Sequence, residues 1–185
     1  MVKFRDSQTA KNLLISFAGE SQARNRYTYF SRQAREDGFI QIADIFEETA
    51  GHECEHALRF FKFFNGGELQ INWQYPAGAI KSTYENLLAA ADGERYEHTQ
   101  MYPGFAKIAR DEGFTRAADT WDAISVSEKQ HEKRYRDLAE NIQQGTVFEK
   151  AESTVWRCMN CGYVHEGVEA PDLAALSRSF WRGES

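Results

Sequence analysis

Two copies of one pattern, Glu53-x-x-His56 and Glu128-x-x-His131, set a carboxylate three residues ahead of an imidazole. On a helix that spacing puts both side chains on one face, one turn apart, so both can reach a single ion. Glu20 and Glu94 hold matching places in two other stretches, and Glu97 follows Glu94 by one turn. Helices carry many surface glutamates, so the neighbours decide how these are read. Glu20 lines up with Leu13, Phe17, Ala23 and Tyr27, and Glu53 with Phe46, Ala50, Ala57 and Phe60. Glu94 lines up with Leu87, Ala90, Met101 and Phe105, and Glu128 with Trp121, Ile124 and Tyr135. All four therefore lie on the apolar stripe of their helices. Unpaired carboxylates in a core are costly, so four facing one another need cations, and two divalent metals meet that need. A Glu from each of two helices plus an ExxH from each of two others is the donor set of a carboxylate-bridged di-iron or di-manganese bundle. Mixed oxygen and nitrogen donors suit iron or manganese better than thiolate-seeking metals. His52 and His98 read as neighbours of the ligands or surface residues. Cys54, turned away from the face of Glu53, reads as a small packed thiol.

Four long helices are needed to position these groups. The first is predicted from about Ser7 to Asp37, the second from Phe39 to Phe64, the third from Ser82 to Gly113 and the fourth from Phe114 to Gln144. Gly and Asn at their ends suit left-handed caps, and Ser82-Thr83-Tyr84-Glu85 has capping-box spacing. The first and third connections are one or two residues and make antiparallel pairs, whereas the second, about Gly66 to Lys81, is long. Short, long, short is the wiring of a ferritin-like bundle with one crossover. The halves also repeat. Arg35-Glu36-Asp37-Gly38-Phe39 matches Arg110-Asp111-Glu112-Gly113-Phe114, Ala43-Asp44 matches Ala118-Asp119, and Tyr27 matches Tyr102, all offset by 75 like the ExxH pairs. Gly19-Glu20 matches Gly93-Glu94 at an offset of 74. One residue has therefore been added between Glu94 and Tyr102. Helices usually absorb such an addition as a π-bulge, with Pro103 adding to the disturbance.

The bulk properties agree. The chain has 185 residues, a net charge of −6 and 14% aromatic residues. Mixed charges with an acidic balance exclude nucleic acid and anionic membrane as main partners. No stretch reaches the ~20 apolar residues of a membrane span and no leader pattern opens the chain, so a cytoplasmic location is expected. Beyond Cys54, the cysteines are Cys158 and Cys161, a CxxC that points to metal or redox chemistry rather than a disulfide framework. Residues 1–147 are expected to form the bundle and 148–185 a small appended segment.

The set Glu20, Glu53-x-x-His56, Glu94-x-x-Glu97 and Glu128-x-x-His131, followed by Trp156-Arg157-Cys158-Met159-Asn160-Cys161-Gly162-Tyr163-Val164-His165, closely resembles the rubrerythrin family over almost the whole chain. The resemblance implies a non-haem peroxidase with two iron ions that reduces hydrogen peroxide to water. It implies Glu20, Glu53, His56 and Glu97 around one iron and Glu94, Glu128 and His131 around the other, with Glu53 and Glu128 bridging. It further implies that one iron exchanges the Glu97 ligand for His56 on redox change, and that Tyr27 and Tyr102 hydrogen-bond ligand carboxylates. Glu97 is the candidate proton donor to the leaving hydroxide.

The family pattern breaks at the tail. A rubredoxin-type iron takes four thiolates. A second CxxC is expected after Ala170-Pro171-Asp172-Leu173, and the chain instead continues Ala174-Ala175-Leu176-Ser177-Arg178-Ser179-Phe180-Trp181-Arg182-Gly183-Glu184-Ser185, which reads as an unrelated tail. The favoured expectation is that Cys158 and Cys161 bind no iron here and remain thiols or a disulfide. A metal shared between two chains and a site that recruits His165 stay open. Electrons would then come from an external donor such as a rubredoxin or a reductase. Homodimerisation along the sides of the bundle is expected. Iron storage or ferroxidase activity, and oxidation by O2, are the competing functions.

Overall fold

The computed structural model describes residues 2–172 and 178–184. After a 3-10 turn at Phe4–Asp6 come α1 (Gln8–Glu36), α2 (Ile40–Phe61), α3 (Thr83–Tyr96), a π-helical turn (Glu97–Met101), α4 (Tyr102–Glu112) and α5 (Thr115–Gln144). The π turn joins α3 and α4 into one long third helix, so the bundle has four helices with one long crossover. α1 packs on α2, and α3 and α4 pack on α5. Among the described residues no helix is long and apolar enough to cross a membrane.

The helix ends follow local chemistry. The Ser7 hydroxyl accepts from the Ala10 amide at 3.1 Å and opens α1. Gly38 and Gly113 take φ of +87° and +89°, a conformation glycine adopts freely. After each, the next amide folds back on the helix: Phe39 N donates to Ala34 O and Phe114 N to Ala109 O, both at 2.7 Å. These matched Schellman closures make the tight turns of both pairs. α2 stops at Phe61, short of the expected Phe64, because Phe63 and Phe64 tighten into turns that bond Phe60 O and Phe61 O at 3.2 and 3.0 Å.

Two carboxylates tie the pairs together. Asp37 Oδ2, at the end of α1, accepts from the amide and hydroxyl of Thr83 at 2.8 and 2.6 Å. Glu112 Oε2, at the end of α4, accepts from the amide and hydroxyl of Thr9 at 2.8 and 2.5 Å. Each caps the amides left without intrahelical partners at the start of the opposing helix, where negative charge is favourable.

The extra residue inferred between Glu94 and Tyr102 falls in the π turn, where Tyr102 N donates to Glu97 O. Both flanking helices thereby keep their faces.

The core comes in two apolar layers. One holds Tyr27, Phe30, Ile42, Phe46, Leu87 and Tyr135, and the other Leu13, Phe60, Tyr102, Phe105, Trp121 and Ile124. The layers are related by the repeat: Tyr27 corresponds to Tyr102, Phe46 to Trp121 and Phe60 to Tyr135. On every long helix the candidate ligands fall between the two layers.

The segment after α5 forms an antiparallel sheet of β1 (Glu149–Cys158), β2 (Val164–Glu169) and β3 (Trp181–Glu184) in the order β2-β1-β3. In the tail expected to be unrelated to the family, Arg178–Phe180 form a 3-10 turn and Trp181–Glu184 form β3, which pairs with the free edge of β1, with Trp181 buried beside Trp156, Cys158 and Ala170. The remainder of that expected tail, 174–177 and 185, lies outside the described residues. Phe148 stacks on Phe39 with ring centroids 6.0 Å apart, bringing the sheet against the start of α2.

Candidate metal centre

Between the apolar layers, two groups of donor atoms each lie within 4.8 Å of one another: Glu20, Glu53, His56 and Glu128, and Glu53, Glu94, Glu128 and His131. Glu53 and Glu128 belong to both. His56 Nδ1 lies 3.0 Å from Glu53 Oε2, 2.9 Å from Glu128 Oε1 and 3.8 Å from Glu20 Oε2. His131 Nδ1 lies 2.8 Å from Glu128 Oε2, 3.2 Å from Glu53 Oε1 and 3.7 Å from Glu94 Oε2. The two groups are thus near copies, as the sequence repeat requires.

The four carboxylates are at most 1% exposed. Burial, then the charges of Glu128, Glu53 and Glu97, holds the Glu20 carboxyl well above the usual range. Burial and the neighbouring Glu53 push Glu94 up to about 8. Glu53 goes the other way, to about 2, because contacts from His131 and His56 outweigh its burial. The same contacts raise His56 to about 10 and His131 to about 12 against the opposing effect of burial, with Glu128 the leading partner of each. Without cations, protonated imidazoles balance the carboxylates.

That balance leaves donor capacity unused. Glu20 Oε2, Glu53 Oε1, Glu94 Oε2, both Glu128 oxygens and His131 Nδ1 are buried without a well-formed hydrogen bond. Orphaned lone pairs converging from four helices fit two divalent cations of the oxygen- and nitrogen-preferring kind. Binding them would release the protons held on His56 and His131.

Tyr27 Oη donates to Glu94 Oε1 and Tyr102 Oη to Glu20 Oε1, so each tyrosine holds a carboxylate of the opposite half. Glu97 begins the π turn and is half-buried, outside both donor groups. Water loss and the charges of Glu94, Glu128 and Glu53 still push its carboxyl well above the usual range. It therefore lies within electrostatic reach of the centre while His56 is turned inward. Cys54 is a half-buried free thiol away from the donors.

His52, expected as a neighbour of the ligands or a surface residue, is both. His52 is exposed, yet its Nδ1 lies 3.2 Å from His131 Nε2, and the two rings are nearly parallel, 8° apart with centroids at 5.3 Å. Its counterpart in the repeat is Ser127, so the symmetry of the sequence carries no hint of it. His98 pairs with Glu132 at 2.7 Å.

At the other candidate centre, Cys158 is buried and Cys161 exposed, both as free thiols. Burial raises the Cys158 thiol, but hydrogen bonds from the amides of Cys161 and Asn160 outweigh it and leave it below the usual value. Residues 162–185 contain no cysteine, and Trp181 is the β3 partner of Cys158. Two thiolates do not make the four-sulfur cage of a rubredoxin iron. The residues present here do not fit that group.

Residues 11–139 match the family model for rubrerythrin, and residues 156–173 match that for the rubrerythrin rubredoxin-like domain. A rubrerythrin of Nitratidesulfovibrio vulgaris is 56% identical over 173 residues, 94% of this chain and 91% of the relative. A rubrerythrin of Porphyromonas gingivalis is 50% identical over 169 residues, 91% and 84% of the two chains. Among solved structures, the fully reduced, all-ferrous state of nigerythrin superposes with a TM-score of 0.66 at 29% identity, covering 97% of this chain and 90% of that one.

Proposed function

The chain belongs to the rubrerythrin family, and from that membership we propose that it is a non-haem di-iron peroxidase, reducing hydrogen peroxide to two waters with two protons and two electrons. The observation that carries this is the pair of donor groups sharing Glu53 and Glu128. Glu20, Glu53, His56, Glu94, Glu128 and His131 would hold the metals, with Glu97 as the exchangeable seventh donor. When bound, two ferrous ions supply one electron each and a clamp for both peroxide oxygens.

The protein's own part is positional and protonic. Tyr27 and Tyr102 keep Glu94 and Glu20 from turning away. The apolar layers above and below exclude bulk water. Glu97, whose carboxyl holds its proton well above the usual range, is the group to hand a proton to the departing hydroxide. The electrons are replenished by an external donor such as a rubredoxin or a reductase, because Cys158 and Cys161 alone form no iron relay. We further propose that the protein works in the cytoplasm and as a homodimer.

Single turnover tests the reading. Anaerobic loading with Fe(II), then mixing with peroxide or O2, should give faster oxidation by peroxide. Faster oxidation by O2 would instead assign the centre to an oxidase or ferroxidase of the iron-storage kind.

A further inference from the structure

We propose that His52 is the positioning residue for one of the two metals: it clamps the ligand ring of His131, while Ser127 at the equivalent place leaves His56 unclamped.

The two ring nitrogens of His131 have different partners. His131 Nδ1 faces Glu128, Glu53 and Glu94 and is the atom placed to bind metal. A neutral imidazole that binds through Nδ1 carries its proton on Nε2. His131 Nε2–H then donates to His52 Nδ1 across 3.2 Å, and His52 keeps its own proton on Nε2. A fixed partner on the far nitrogen sets both tautomer and ring plane of a metal-binding histidine. The two rings are nearly parallel, as an in-plane N–H···N bond between them requires, and the side chain of His131 is only 6% exposed.

The other half lacks this device. Position 52 plus the repeat offset of 75 is Ser127, whose hydroxyl stands one bond from Cβ and cannot span to an imidazole as His52 does. Among the described residues no hydrogen bond holds His56 Nε2. His56, with a side chain 13% exposed, instead lines a cavity of ≈490 Å³ together with Ser127, Arg59, Arg116 and Ile124. One ligand ring is held on both nitrogens and the other on one. The histidine with room beside it is the one free to turn in and out.

The inference rests on the two-metal reading of the site, and the test separates the two. The full chain, stripped of metal, is titrated with Co(II) and followed by its visible absorption and by calorimetry. Wild type should take two ions per chain. His52→Ser should weaken one uptake step by about 10- to 100-fold and leave the other unchanged. His52→Gln, whose amide oxygen can accept from His131 Nε2–H, should restore most of the loss. Ser127→His should tighten the step that His52→Ser leaves alone. In Zn(II)-loaded protein, the His131 Nε2–H should exchange with solvent more slowly than that of His56. If His52→Ser leaves both steps within about twofold, if Gln fails to rescue, or if the two imidazole protons exchange alike, the clamp is refuted with the two-metal reading intact. If wild type takes up fewer than two ions, the two-metal reading itself fails, and the clamp with it.

Discussion

His56 on α2 and His131 on α5 come from the same repeat, face the same pair of shared carboxylates and lie at nearly the same distances from them. Yet His131 leans on a second imidazole, while His56 borders a cavity, and only the third helix carries the extra residue and Glu97. A duplicated scaffold can thus offer two unlike donor groups from nearly the same backbone, the π turn being the departure. The common parts set where the metals go. Under the proposed function, a few uncommon ones, His52 against Ser127 and the π turn against a plain helix, would set which position can change.

The largest expected effect comes from cutting what the halves share. Glu128→Ala removes a donor from both groups, and metal analysis should fall from two ions per chain to near none. Glu94→Ala should cost one ion, so equal losses from both substitutions would show that the halves do not share Glu128. Next comes the asymmetry itself. Deleting Thr99, an exposed residue of the π turn, should return the third helix to plain α geometry and leave Glu94 and Tyr102 on their faces. Both metals should remain in that variant, whereas Glu97→Gln in the intact π turn should keep both metals and lower peroxide turnover by at least about 100-fold, the low end of what a positioned proton donor supplies. Unchanged turnover would remove Glu97 from the mechanism. The smallest effects should come from the matched tyrosines. Tyr27→Phe and Tyr102→Phe each strip one hydrogen bond from a buried carboxyl, and denaturant titration of the metal-free protein should show losses of about 1–3 kcal/mol each. Similar values would mean the halves are energetically alike before metal arrives. A marked inequality would place the asymmetry in the scaffold as well.

Much of this was legible in the amino-acid order because burial and periodicity constrain each other. Glutamates on the stripe of Leu13, Phe46, Leu87 and Trp121 stand out from those on wet faces, and the slip from an offset of 75 to 74 marks the π turn within a few residues. His52 was legible only as a ligand neighbour or surface residue, since its partner is set by how α2 and α5 pack and the repeat offers no second example. The family match ends at residue 173, before this tail, and the tail's pairing was not legible for a related reason. Phe180 and Trp181 carry no motif, and their place comes from the unpaired edge of β1 and from the space beside Trp156 and Cys158.

The two carboxylate caps have a mechanical consequence. Asp37 bolts the end of α1 to the start of α3, and Glu112 bolts the end of α4 to the start of α1. Between those bolts, Thr9 and Asp37 are 28 positions apart, while Thr83 and Glu112 are 29 apart. A regular helix would be longer by the rise of one residue, about 1.5 Å, over a fixed span. The surplus cannot slide out at either end without breaking a bolt, so it must bulge within. The wide turn beside Glu97 is a buckle in a strut clamped at both ends.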